Sequence, residues 1–187
     1  MPQPTDEEIA AQIQRGDNEA FGLLMERYER KITHYAKKFI FNSEDIEDLV
    51  QEVFIKAYVN LRSFDTNRKF SSWLYRIAHN EFINAIKKKS REKLIFFDLD
   101  FDVLWPHLLA TKASANQIKN SELKLMLDRS LGKIKPKYRE VLVLYYFEEM
   151  NYNEISEILR IPVSTVGVRL KRGKIMLKNI VNQIEKL

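Results

Sequence analysis

The chain has 187 residues, a formal net charge of +5 and no cysteine, which excludes disulfides, thiolate zinc sites and cysteine nucleophiles. Its three histidines, His34, His79 and His107, are scattered and form no ligand cluster, so neither a metal nor a cofactor is expected. No apolar run approaches a membrane span, and the opening MPQPTDEE is acidic where a secretory signal is basic and then apolar, so the expectation is a soluble, cytoplasmic chain.

Five glycines and five prolines are all that interrupt a helical apolar period, which predicts an all-α protein. Thr5 with Glu8 has the form of a capping box opening a short helix through Ile9 and Ile13. Gly16 ends it, and Asp17 is the expected cap of a longer helix with Phe21, Leu24, Tyr28, Ile32, Tyr35, Ala36 and Phe39 on one face. Asn42 or Ser43 caps a third helix, whose stripe is Ile46, Leu49, Val50, Val53, Phe54, Ala57 and Leu61. That stripe leaves Glu47, Asp48, Gln51 and Glu52 outside, as a solvated face or as a docking surface for a basic partner; composition alone does not choose.

A polar turn, Ser63 to Lys69, leads to a fourth helix that Ser71 or Ser72 is placed to cap. Phe70, Trp73, Leu74, Ile77, Ala78, Phe82, Ala85 and Ile86 share its core face. Ser72, Arg76, His79, Asn80, Ile83, Asn84 and Lys87 lie opposite, flanked by Tyr75, and the segment ends in Lys87, Lys88, Lys89 and Arg91. Such a surface suits a phosphate chain with bases that stack, and it also suits an ordinary amphipathic helix with a solvated end. Residues 92–120 lose the period, mix acidic with large apolar side chains and contain Pro106, so a partly ordered linker is expected. Phe96, Phe97, Phe101 and Trp105 within it need a surface to lie on.

Ser121 is placed to cap a helix with Leu123, Leu127, Leu131 and Ile134 inward, and Pro136 to open the next, with Tyr138, Val141, Leu142 and Tyr145 inward. In NYNEISEILRIPVSTVGVRLKRGK, Tyr152, Ile155 and Leu159 form a short stripe, Arg160 to Val163 a tight turn, and Ser164 the cap of a helix burying Val166, Leu170 and Leu177. Residues 121–187 carry 13 Lys and Arg against 8 Asp and Glu, the whole of the net charge, and from Arg160 to Lys178 no acidic residue occurs. A cationic surface kept for solubility has that composition too. Two short helices with the basic charge on the second predict a helix-turn-helix. Thr165, Gly167, Val168, Lys171 and Arg172 would face base edges, with Arg169 and Lys174 reaching phosphates or sharing that task.

Three motifs in this order, DLVQEVFIKAYVNLRSFD, KFSSWLYRIAHNEFINAIKKKSR and IPVSTVGVRLKRGK, resemble an extracytoplasmic-function (ECF) sigma factor of the sigma-70 family, in the envelope-stress branch of low-GC Gram-positive bacteria. The resemblance implies two small helical domains, a region 2 bundle at 1–91 and a region 4 helix-turn-helix at 121–187, joined by the linker 92–120. It implies promoter DNA and core RNA polymerase as partners, the latter through its beta-prime coiled coil and beta flap, and no small-molecule substrate. Glu47, Asp48, Gln51 and Glu52 would dock on the coiled coil. Phe64, Asp65, Asn67, Arg68, Lys69, Trp73, Tyr75, Arg76, His79, Asn80 and Asn84 would open the minus-ten element and capture an extruded base, with Lys87 and Lys88 on its backbone. Ser164, Thr165, Gly167, Val168, Arg169, Lys171, Arg172 and Lys174 would read the minus-thirty-five element. Asp98, Asp100 and Asp102 would mimic nucleic-acid charge in the polymerase channel, and a membrane-bound anti-sigma factor would hold the free protein inactive. Asn84 stands where the family commonly has Asp, Arg160 where Gly is common, and Gly167 and Val168 where basic and small polar residues are usual. No enzyme is expected: a Gly-rich phosphate loop, a metal cluster and a nucleophile with a placed base are all missing from the sequence.

Overall fold

The computed structural model describes residues 3–40, 42–94, 126–127 and 129–184, all of whose regular elements are helical. The linker aromatics and aspartates named above, and Ser121 and Leu123, lie outside the described residues. The chain forms two compact units, one built on its first 88 residues and one on its C-terminal helices.

In the first unit α1 (Asp6–Gln14) opens with the expected capping box: Glu8 N–H donates to Thr5 Oγ1 at 3.2 Å and Thr5 N–H to Glu8 Oε2 at 2.8 Å. Gly16, at φ +111°, supplies the left-handed residue that ends it. Asp17 caps a single 3-10 turn, Asn18–Ala20, and α2 (Phe21–Ala36) starts only after it. The tighter turn carries Ala20 into the core before the long helix begins. The α2 stripe from Phe21 to Ala36 is buried as expected; Phe39 is buried too, in the turn beyond the helix. Asn42 caps α3 (Ser43–Asn60) by accepting from Glu44 N–H at 3.1 Å, and Leu61 continues its stripe from a 3-10 turn.

The fourth helix differs from expectation in three ways. α4 (Phe70–Leu94) starts before both serines, and its free Phe70 N–H donates to Glu7 Oε1 of α1 at 2.9 Å, so the cap comes from another helix. It runs three residues past the expected boundary at 91. Its buried stripe also turns toward Tyr75, 2% exposed, and Ser72, leaving Trp73, Ile77, Ala85 and Ile86 only half-buried. The cause is Tyr35, whose ring meets those of Phe39, Tyr75 and Phe82 at 5.1, 5.3 and 5.8 Å between centres. Such ring pairs add about 0.5–1.5 kcal/mol each beyond the area they bury.

In the second unit Pro136 occupies the first turn of α5 (Pro136–Tyr146), which buries Tyr138, Val141, Leu142, Val143 and Leu144; Tyr145 is half-buried. Arg139 is buried as well, its guanidinium donating to the carbonyls of Leu131, Gly132 and Ile134 at 2.7, 2.9 and 2.8 Å. It thereby satisfies carbonyls that the end of the preceding helical segment leaves open, where a cation is also favoured. α6 (Tyr152–Leu159) opens on Asn151, whose side chain accepts from Asn153 and Glu154 N–H. Its core residues are Ile155 and Ile158; Tyr152, expected inside, is 37% exposed because the helix turns its two isoleucines inward. Arg160 takes a left-handed φ of +52°, and Ser156 closes the turn by accepting at its carbonyl from Ile161 N–H and donating its hydroxyl to the Ile161 carbonyl. α7 (Val163–Ile184) closes its first turn on the Pro162 carbonyl, so Ser164 lies inside the helix and does not cap it. α7 packs on α5 at Gly173, where an added Cβ would lie 3.1 Å from Leu142 Cδ1 and 3.3 Å from the Tyr138 carbonyl oxygen.

Candidate nucleic-acid interface

On α3, Glu47, Asp48 and Gln51 are exposed and Glu52 half-exposed, on the side away from the core stripe. Glu52 is paired with Lys56 at 3.3 Å, and Lys56 also donates to Glu81 of α4 at 2.5 Å; both contacts, Glu81 foremost, hold the ammonium above its usual range. The same face continues at three- and four-residue steps into exposed Ile55 and Val59, absent from the expected docking set although their spacing follows directly from Asp48 and Glu52.

Between α3 and α4 the loop has an apolar floor and a polar rim. Phe64, expected at the DNA, is only 5% exposed and packs on Phe70 and Trp73 at 5.6 and 5.1 Å. A phenyl ring placed there is held by its neighbours, so it supports the rim from beneath. Asp65 accepts from both the backbone and the side-chain N–H of Asn67 at 3.0 Å, bonds that hold its carboxyl below the usual range. Arg68 N–H closes the turn on the Asp65 carbonyl, and Asn67, Arg68 and Lys69 stand exposed.

Along α4, Asn80, Asn84, Lys87 and Lys88 are exposed and Arg76 is half-buried. Tyr75 and His79 are not part of that open face. Tyr75 faces α2, and His79 Nδ1 shares a hydrogen bond with the Tyr35 hydroxyl at 3.2 Å. Burial, with the Lys87 charge adding to it, pushes His79 down to about 4, so it is a neutral imidazole near pH 7.

On α7, helical phase puts Ser164, Val168, Lys171, Arg172 and Ile175 on the outward side, all exposed, opposite the buried Val166, Leu170 and Gly173. Thr165, Gly167 and Arg169 lie half-buried on the flanks. Arg172 reaches back to the Tyr138 hydroxyl and, with Lys137 nearby, holds that phenol below its usual range. Lys174 lies 5.9 Å from the centre of the Tyr146 ring, and its hydrogen bond to Tyr146 raises it above the usual lysine range. Of the expected reading residues, Ser164, Val168 and Lys171 therefore point outward without such a tie.

A helix-turn-helix whose second helix turns Lys171 and Arg172 outward has the form of a DNA-binding unit. Residues 24–92 match the family described as Sigma-70 region 2, and residues 124–177 match Sigma-70, region 4. The chain is 38% identical over 175 residues to the ECF RNA polymerase sigma factor SigW of Bacillus subtilis, covering 89% of this chain and 91% of that relative. It is 31% identical over 189 residues to the ECF RNA polymerase sigma-E factor of Escherichia coli K12, covering 97% of each. Among solved structures, CnrH in complex with the cytosolic domain of CnrY is similar at a TM-score of 0.70 and 26% identity, covering 96% of this chain and 99% of that one. The chain belongs to the ECF sigma factors of the sigma-70 family. It is a promoter-specific RNA polymerase sigma factor, with core RNA polymerase and promoter DNA as its partners.

Proposed function

We propose that residues 1–91 serve core docking and minus-ten recognition, that 92–120 link, and that 121–187 read the minus-thirty-five element. The acidic face of Glu47, Asp48, Gln51 and Glu52 docks on a basic polymerase surface, and exposed Ile55 and Val59 extend it with apolar area of the kind that marks an interface. Asn67, Arg68 and Lys69, with Arg76, Asn80 and Asn84, meet the unpaired minus-ten strand, while Lys87 and Lys88 hold its backbone. Trp73 offers a half-exposed ring beside this rim; base stacking on such a ring is worth about 1–3 kcal/mol, comparable to the cost of taking a base out of the duplex. In this reading Phe64, Tyr75 and His79 act from below, as support. The observation that carries it is the polar rim of Asn67–Lys69 set on the packed rings of Phe64, Phe70 and Trp73.

The protein works in the cytoplasm without chemistry of its own; among the described residues no helix is long and apolar enough to cross a membrane. We propose further that a membrane-held anti-sigma factor controls the chain and that its regulon answers envelope stress; that the similar CnrH is found in complex with the cytosolic domain of another protein, CnrY, supports control by a protein partner. Transcription by core polymerase with and without this chain tests the reading: start-site selection should appear only with it. The chain carrying Gln51→Lys and Glu52→Lys should fold yet lose co-purification with core, and retained co-purification rejects the docking face.

A further inference from the structure

The loop between α3 and α4 is held at both ends by α1, a helix that precedes the residues 24–92 matched to region 2. Gln14 Nε2 donates to the Leu61 carbonyl at 2.9 Å and to the Phe64 carbonyl at 2.8 Å. Glu7 Oε1 accepts from Phe70 N–H at 2.9 Å. Glu7 and Gln14 are two helical turns apart, so they share one face of α1 and stand roughly 10 Å apart along its axis. The helix is itself fixed: Ile9, Ala10 and Ile13 are buried, and Asp6 accepts from Arg27 Nη1 at 2.6 Å and from the Tyr28 hydroxyl of α2. Both ends of the loop are thus referred to one rigid segment, and residues 65–69 span the interval under the Asp65–Asn67 turn.

We propose that Glu7 and Gln14 are positioning residues that set the shape of the Phe64–Lys69 loop and so its choice of nucleotide in the unpaired minus-ten strand. The inference rests on the assignment of that loop to single-strand recognition under the proposed function. A pocket that discriminates between bases must keep its polar groups within a fraction of an ångström, and side chains on a loop do so only when the loop ends are held. Gln14 supplies two donors to backbone carbonyls at the loop entry, and Glu7 supplies the acceptor that the first turn of α4 lacks.

The test uses the full chain bound to core polymerase and a library of single-stranded oligonucleotides randomised over six positions, with the bound fraction sequenced. Gln14→Met, which keeps the bulk and removes both donors, should flatten the base preference by at least about 3- to 10-fold, the range that removal of even one of its two hydrogen bonds spans. Glu7→Ala should do the same, and Glu7→Gln, which keeps an acceptor oxygen, should restore the preference. Co-purification with core should be unchanged throughout, showing that the unit is folded. Asn67→Ala serves as the control on the loop itself. If Asn67→Ala flattens the preference while Gln14→Met and Glu7→Ala keep it, the role of α1 is overturned and the loop assignment stands. If Asn67→Ala also leaves it unchanged, the loop assignment falls and takes the inference with it.

Discussion

In the first unit the residues assigned to DNA stand on packed aromatic rings and tied turns; in the second they stand along the outward side of one long helix. The first 120 residues carry no net charge, and residues 121–187 carry all of the +5. Under the proposed function the contrast follows from two tasks. Duplex DNA presents a regular row of phosphates and base edges, which a cationic helix meets with mobile side chains. An extruded base brings one ring and one hydrogen-bonding edge, so it is selected by fixed walls more than by charge. The surface proposed for the first unit accordingly stands on fixed groups, with Phe64 buried, Asn67 tied to Asp65 and His79 tied to Tyr35.

The largest test of this contrast is Lys171→Ala with Arg172→Ala. Each base edge left unread costs roughly 1–3 kcal/mol, and the salt slope of duplex binding should fall by about 0.9 for each phosphate no longer neutralised. Binding isotherms at several salt concentrations read both, and single-strand preference should not move; a change there breaks the division of labour. Arg139→Ala comes next. Three carbonyls are deprived of a charged donor, and the second unit should become less stable by roughly 2–4 kcal/mol in urea unfolding, with the first unit's transition unchanged.

The third test is pH. His79 is depressed to about 4 in the folded chain against an ordinary value near 6.5, so the unfolded chain binds more protons between those limits. Its contribution is complete above about pH 6.5 and is lost as pH falls toward 4, by up to about 3 kcal/mol. Unfolding midpoints of the wild type and His79→Asn, compared over that window, should differ in slope; parallel profiles mean the imidazole is not held neutral. The smallest effect is Arg160→Gly, which relieves the left-handed φ of +52° and should raise the stability of the second unit by about 1 kcal/mol.

Much of the fold was legible because it is encoded at short range. The Thr5–Glu8 box, the left-handed Gly16, Asn42 and Pro136 act within one turn of themselves, and the α2 stripe follows helical spacing alone. The residues that fall elsewhere than expected have a distant partner or a side chain that suits either environment. Tyr75 and His79 look polar in a helical projection, and only Tyr35, 44 residues before His79, makes their burial favourable. Glu7 has no local sign of capping a helix 63 residues later. Ser164 has the composition of a cap, but the turn at Pro162 starts the helix two residues earlier than such a cap would. For the candidate site, the exposed charges of α3, α4 and α7 could be placed from phase alone, whereas the supporting role of Phe64 depends on three rings meeting in space.

The close approach at Gly173 makes α7 a part machined to a tolerance. α7 carries a second glycine, Gly167, where a methyl would sit at an ordinary 3.5 Å from Tyr152, and the two positions look alike to any scale of helix preference. At Gly173 the same methyl would lie 3.1 Å from Leu142 and 3.3 Å from the Tyr138 carbonyl oxygen, so a neighbour would have to give by a few tenths of an ångström. One hydrogen in place of a side chain thus sets how closely α7 seats on α5 and, on the proposed reading of α7, how far Val168 and Lys171 stand out toward DNA.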